Sequence, residues 1–416
     1  MKRNRHILLS TLLTTAAVLG SLAAGSLVGV KAQSKVVEGV KKDLNGLSLS
    51  AKGYKSALDK LKPALVNEET KVKAETWMLA GKICFGYYDR SMVEKSIGSD
   101  IDKKTVGKML ISGYDYFAQA LKLDSVKQTR KDGSVITDRN GQPRVRTRYS
   151  AGIKKRVLEH LIDFSAVGGD LLMASDWDGA YRAWEIYCTE AQSDYAKRHH
   201  KQEADSIVGY YRYYQGLAAF QGKKYADAAM QFERARGLGY VKKDLYDSWI
   251  ASALQLADTA KVQQVALEAN EAYGASDPQY TRILINCYLN EKNYTAATSL
   301  LDNAIKRDSA NAECLDLKGQ LVERLEGAGK AMPYYRRAVE LQPDFTRALF
   351  DLGNCLYMQA VRISDRRSEA ATALYRESLP YVEKAYKLDP KNTDARKVLS
   401  RLYYVLGSNK LDEIEK

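Results

Sequence analysis

Large and small apolar residues recur along this chain at a fixed spacing of 34 residues, with polar positions between them. Over 312–345 the run holds Gly319, Ala331, Tyr335, Ala338 and Pro343. One period earlier the same positions hold Ile285, Ala297, Leu301, Ala304 and Ser309. Residues 209–242 give Gly216, Tyr225, Ala228, Phe232 and Ala235. Steps of three and four within each run are the period of a helix that buries one face. A unit of this length is a pair of antiparallel helices, and tandem pairs predict an all-α solenoid.

Two helices cross closely only where the facing side chains are small, so Gly or Ala at the crossing sets the distance between axes. Bulky neighbours fill the remaining space and bury the area that stabilises each pair. Pro343 and Pro390 stand where a second helix must stop, because proline lacks the N–H and clashes with the preceding turn. The pattern recurs upstream as Trp77, Gly81, Phe117 and Ala120, and again as Phe164, Gly168, Trp177, Ala180 and Trp184. Tyr54, Ala57, Leu61 and Ala64 make an opening half-unit. On these residues the chain resembles the tetratricopeptide repeat over about 38–408, most closely in 209–242, 278–311 and 312–345, and least in 243–276. The resemblance implies a right-handed α-solenoid of antiparallel helix pairs that presents surface and holds no reaction centre.

The expected organisation follows. Residues 33–124 hold a capping helix pair and the first unit, with 20 extra residues between Cys84 and Phe117. Residues 125–160 form a basic loop or hairpin insertion, whose Asn140-Gly141 turn is flanked by β-branched alternation; Pro143 weakens the second strand. Six units fill 161–392, with 13 extra residues between Gly353 and Ala385 read as helix extension, because 364–375 is rich in Ala, Arg and Glu. Residues 393–416 give a capping helix that stops at Gly407, its polar face formed by Arg396, Lys397 and Arg401, and a tail.

The N-terminus reads as an export signal over 1–32. Lys2, Arg3 and Arg5 precede an uncharged stretch over 7–30, and Val30-Lys31-Ala32 forms a cleavage site before Gln33. Uncleaved, 7–30 would anchor the chain in the inner membrane. The formal charge is +13, which becomes +9 once Lys2, Arg3, Arg5 and Lys31 are removed (13 − 4). Five cysteines without tight spacing argue against a disulfide framework, although Cys287 and Cys314, on neighbouring first helices, leave one bridge open. With charged residues at 28% and hydrophobic ones at 45%, the composition is that of a folded chain.

Two regions could carry chemistry. Residues 121–156 hold eleven Lys and Arg against Asp124, Asp132 and Asp138, a net of +8. Arg139, Arg144, Arg146 and Arg148 are the anion-binding candidates, the last three alternating so that one strand face would carry them. The second region is the inner groove. The resemblance places Tyr210, Tyr213, Phe220, Arg282, Asn286, Gln320, Arg324, Arg347, Asn354 and Tyr357 there, with Glu313, Asp316, Glu323, Phe350 and Met358 beside them. Tyr, Arg and Met are favoured contact residues at protein interfaces. A clamp for C-terminal carboxylates would need Arg282, Asn286, Leu317, Arg347 and Asp351 to donate together; Leu317 and Asp351 cannot.

Catalytic and metal sites are not expected. His160, His199 and His200 are the histidines beyond the signal, and adjacent His199 and His200 point about 100° apart on a helix. Gly168-Gly169 follows no strand, so it is no phosphate loop, and no cofactor is expected. Most of the 28 tyrosines sit at core positions of the repeat. The sequence therefore predicts an exported scaffold, similar to the repeat proteins of Gram-negative envelopes and of Bacteroidota in particular, where a signal ending in Ala-Gln is frequent. Its partner would be an envelope protein or peptide in the periplasm, or outside the cell after cleavage. The alternative is a module for anionic glycolipid or polysaccharide, using the basic insertion. Nucleic acid clashes with export, and the oligomeric state stays open.

Overall fold

The structure is a computed structural model that describes residues 28–46, 49–274 and 277–410. Lys2, Arg3, Arg5 and the expected signal up to residue 27 lie outside the described residues. No helix among the described residues is long and apolar enough to cross a membrane. The chain divides into two compact units: one runs through Lys224 and takes in Gly237–Gly239, and the other holds Tyr225–Arg236 and the chain from Tyr240.

The first unit is built from α1 (Val28–Gly46), α2 (Ala51–Val66), α3 (Ala74–Ser96), α4 (Lys103–Leu123), β1 (Val126–Lys127), β2 (Val145–Arg146), α5 (Ser150–Glu159), α6 (Leu161–Met173), α7 (Trp177–Ala191), α8 (Asp194–Arg198) and α9 (Asp205–Gln221). Helix α2 packs on α3, α3 on α4, α6 on α7, and α7 on α9. The small-against-large rule is visible in the contacts: Gly81 of α3 lies against the Phe117 ring of α4, and Gly168 of α6 lies against Trp184 of α7. The indole N–H of Trp184 donates to the Ser165 carbonyl at 3.1 Å, so its polar edge is satisfied inside the core. The extra residues of the first repeat lengthen α3 and α4 to 23 and 21 residues.

The second unit holds α10 (Tyr225–Gly237), α11 (Lys243–Gln255), α12 (Thr259–Tyr273), α13 (Gln279–Asn290), α14 (Tyr294–Arg307), α15 (Ala312–Glu326), α16 (Ala328–Leu341), α17 (Thr346–Arg362), α18 (Glu369–Leu388) and α19 (Thr393–Leu406). From α11 onward each helix packs on the next. Asn293, Asn311 and Asn392 start α14, α15 and α19 by accepting hydrogen bonds from the first-turn amides of Ala296, Cys314 and Ala395. A Cβ on Gly319 would stand 2.5 Å from the Tyr335 ring, so only glycine allows α15 and α16 this approach. Helices α16 and α18 end two residues before Pro343 and Pro390. Helix α19 stops at Gly407, whose φ of +62° closes the helix in the left-handed conformation. The 13 extra residues lengthen α18, but only from Glu369; 363–368 form the turn before it. Prolines 63, 333 and 380 lie inside helices, all at exposed positions.

The insertion departs from the expected single hairpin. Val126 pairs with Arg146 and Lys127 with Val145, antiparallel. Inside that pair are two turns, one closed by Arg130 N–H donating to the Ser134 carbonyl and one by Asp138 N–H donating to the Gln142 carbonyl, both at 2.8 Å. Gly133 and Gly141 occupy equivalent places in them with φ of +83° and +75°. Three segments then close a ring: Gln128 N–H donates to Arg144 O, Arg144 N–H to Ile136 O, and Ile136 N–H to Gln128 O, at 2.8, 2.7 and 2.9 Å. The donors stand eight residues apart, a short internal period. From Ser150 to Glu159 the insertion is helix α5, which packs on α4, α6 and α7.

Candidate binding surfaces

In the second unit the repeat period brings equivalent residues of successive first helices side by side. Arg347 of α17 donates through Nε to Asp316 of α15 at 2.6 Å and reaches Glu313 at 3.4 Å, and Glu313 also pairs with Arg282 of α13. Gln320 donates to Asp351 at 2.7 Å and to Asp316 at 3.2 Å. The result is a charge ladder across α13, α15 and α17. Asp316 is fully buried, and its Oδ1 meets no donor side chain among the described residues. Burial, and then the neighbouring Asp316, pushes the Asp351 carboxyl up to about 7, while burial raises Asp316 against the pull of Arg347.

Of the residues expected to line the groove here, Arg282, Gln320 and Arg347 are therefore rungs that tie the repeats together. Arg324 and Asn286 are exposed, and Asn354 is half-buried. Tyr357 departs from expectation: it is 8% exposed and packs on Tyr375, with ring centres 5.8 Å apart. Leu317, one of the two residues that excluded a carboxylate clamp, is buried at 4%.

In the first unit Tyr210 is exposed and Phe220 half-buried on α9, whereas Tyr213 is 6% exposed and belongs to the core. Tyr213 and Tyr357 fail as groove residues for one reason. A long ring at the edge of a helix face turns toward the apolar neighbour, where it buries more area than it would in water. Tyr210 joins a ring cluster with Tyr211 and Tyr214, their centres 5.2 and 4.8 Å from its own.

A second surface in this unit was not anticipated. On α3, Glu75, Met78, Lys82 and Gly86 hold the same repeat positions as Glu313, Asp316, Gln320 and Arg324 on α15. Glu75 pairs with Lys41 of α1, and in place of a ladder Met78, Lys82 and Gly86 line a cleft of about 630 Å³, closed from the other side by α5 and by Arg148 and Tyr149 at the exit of the insertion. The positions that defined the groove in later repeats point to these residues in the first one, so the signal was present in the sequence. The insertion's fold over them was not.

Asp124 fixes that exit. Its buried carboxylate accepts from the backbone amides of Arg148, Tyr149 and Ser150 and from the Ser150 hydroxyl, at 2.7–3.1 Å. These bonds, led by Ser150, hold its pKa below the usual carboxylate range although burial opposes them. They also cap the N-terminus of α5. Two acids of the insertion serve its turns: Asp132 accepts from Ser134, and Asp138 from the amides of Asn140 and Gln142. Lys127, Arg130, Lys131, Arg139, Arg144, Arg146 and Arg148 are all exposed, and none of their side chains meets a carboxylate among the described residues. Arg148 instead lies over the Tyr149 ring, 5.3 Å from its centre.

All five cysteines are free, Cys287 and Cys314 included, so the open bridge is absent. Burial pushes the thiols of Cys84 and Cys355 up to about 12 and that of Cys188 to about 11. They act as apolar filler.

The sequence model of the tetratricopeptide repeat family matches residues 317–380, which span α15 to α18. Over that segment the chain carries the tetratricopeptide repeat. No curated protein matches it. Solved structures similar to it include YrrB, described as a TPR protein with an unusual peptide-binding site, at 14% identity over 49% of this chain and 96% of that one (TM-score 0.32). A TPR repeats protein of Bacteroides fragilis NCTC 9343 is 18% identical over 59% of this chain and 98% of its own (TM-score 0.29). A thermophilic TPR protein of Thermus thermophilus is 17% identical over 48% and 98% (TM-score 0.31).

Proposed function

We propose that this chain is an exported scaffold that docks a protein or peptide segment in the bacterial periplasm or on the envelope. The observation that carries the reading is preorganisation. On α13, α15 and α17, and again on α3 and α5, polar side chains outside the helix-pair core are already pinned by partners on neighbouring elements. A partner meeting such a surface orders few additional side chains, which lowers the entropic cost of binding. Repeat proteins of this kind generally act as binding platforms, and no catalytic role is proposed. Export rests on the residues of the signal at 1–32.

The test is crosslinking of the tagged mature chain in intact cells, followed by mass spectrometry. One or two dominant envelope proteins, lost on Arg324→Glu with Asn354→Ala or on changes in the first-unit cleft, support the scaffold. Adducts of lipid or glycan alone, with no enriched protein, contradict it.

One observation favours a second reading. The acids at 124, 132 and 138 are spent on turns and on the α5 cap, and the cations from Lys127 to Arg148 are left uncompensated. Such a patch suits an anionic glycolipid or polysaccharide. Binding through it would weaken steeply with salt, because the screening length falls to about 8 Å at physiological ionic strength.

A further inference from the structure

We infer that the cleft between α3 and α5 is a docking site for an acidic protein segment carrying a bulky apolar side chain. This rests on the scaffold reading and names the chemistry of one partner.

The cleft lies outside the repeat pattern. One wall is the first helix of the first repeat, and the other is the helix that ends the insertion. Its volume of about 630 Å³ falls within the ordinary range of binding pockets. The floor is apolar: Met78, Phe117 and Ile153 reach it from the core, with 6%, 2% and 3% exposure. Tyr54 and Tyr149 stand as half-buried walls. Gly86 makes room for one of them, since a Cβ there would lie 2.5 Å from the Tyr54 ring. Across the cleft, a Cβ on Gly152 would meet nothing within 4 Å. The concavity is sized for a side chain with a short length of backbone.

Charge selects the rest of the ligand. Six charged residues line the cleft: Lys82, Arg148, Lys155 and Arg156 against Asp89 and Glu159. Both acids are already engaged. Asp89 pairs with Arg156 and faces His160 Nε2 at 3.4 Å, and Glu159 pairs with Arg156 at 3.7 Å and Lys155 at 3.9 Å. The side chains of Lys82 and Arg148 meet no carboxylate among the described residues. Two uncompensated cations therefore stand over an apolar floor, and the complement is a carboxylate-bearing chain that also supplies a large apolar side chain. A flat bilayer could meet the cations but not the floor, which favours a protein segment over a lipid surface. The Asp124 cap holds Arg148 and Tyr149 in place before any partner arrives.

The test is fluorescence anisotropy on the full mature chain with two labelled probes. One is a twelve-residue Asp/Glu-rich peptide with Phe-Leu at its centre, and the other has Gly-Gly there. The first probe should bind in a salt-sensitive way and the second at least about tenfold more weakly. Lys82→Glu with Arg148→Glu should weaken the first by about tenfold or more. Gly152→Trp, or the smaller Gly152→Leu, should block it while the thermal melt stays in place. Equal binding of the two probes, wild-type binding by both Gly152 variants, or no binding by the wild type overturns the inference. So does Lys82-dependent binding of phosphatidylglycerol vesicles with the peptides ignored. Protein crosslinks that persist in cells without any peptide binding defeat this inference and leave the scaffold standing. Peptide binding without any cellular protein crosslink defeats the scaffold.

Discussion

Helices α3 and α15 open their repeats with the same large-small pattern, yet their outward faces have opposite fates. On α15, Glu313, Asp316 and Gln320 are bonded to Arg347 and Asp351 of the following first helix. On α3, Glu75 is taken by Lys41 of α1, while the corresponding Met78 and Lys82 have α5 and the insertion's exit across from them, and a cleft remains. The difference teaches that one repeat position can stitch neighbouring repeats together or face a ligand. What decides is the element that follows: a regular first helix brings a partner residue one period on, whereas an inserted element leaves the position open.

The comparison can be broken at its foundation first. Gly319→Leu forces a side chain into the Tyr335 ring and should cost about 3 kcal/mol in urea unfolding, since overpacking typically costs 1–3 and this site has no slack. A cost below about 1 kcal/mol would mean that the crossing does not set the helix spacing. Next comes the ladder. Arg347→Ala leaves the buried Asp316 without its cation and should destabilise by about 2 kcal/mol, less than for a fully buried pair because Arg347 is one-third exposed. Lys82→Ala on α3 should change stability by no more than about 0.5 kcal/mol. Equal effects at the two sites would erase the contrast.

The arm gives a smaller effect. Asp124→Ala removes the cap shared by Arg148, Tyr149 and Ser150, at about 1–2 kcal/mol, and hydrogen exchange should speed up at 148–150 ahead of the rest of α5. Unchanged exchange there would show that the exit is held by something else.

The last effect is in pH, where the sign is the test. Asp351 titrates near 7 when folded and near 3.9 when unfolded, so between those values the folded state binds the extra proton. Stability should then fall as pH rises from about 4 to 7, the reverse of an ion-paired carboxylate. Asp351→Asn should flatten that slope and raise the melting temperature at pH 8 by about 2–4 °C. A steeper slope in the variant would contradict the assignment.

Much of this was legible in the sequence because close packing leaves a periodic trace. Gly81, Gly168 and Gly319 marked the crossings, Pro343 and Pro390 the helix stops, and Gly407 the end of the last helix. The basic insertion was legible as a charge cluster, but its shape was not. The Asn140-Gly141 turn was visible, while Gly133, one turn earlier in the same eight-residue period, passed unnoticed, so two turns were read as one. Tyr213 and Tyr357 show the limit of reading a groove from positions alone, because a position gives a direction at Cβ and a tyrosine reaches past it into the core. The cleft depends on α5 standing across from α3, tied to it by Arg156 on Asp89, residues 67 apart, which no local pattern records.

The most direct measurement places a photo-crosslinking amino acid at position 82, and separately at position 320, of the chain in intact cells. The account predicts a protein adduct at 82, with an acidic segment identified in it by mass spectrometry, and a weaker one at 320, where the native side chain is bonded to Asp316 and Asp351. An adduct at 320 with none at 82, or lipid alone at both, would contradict it.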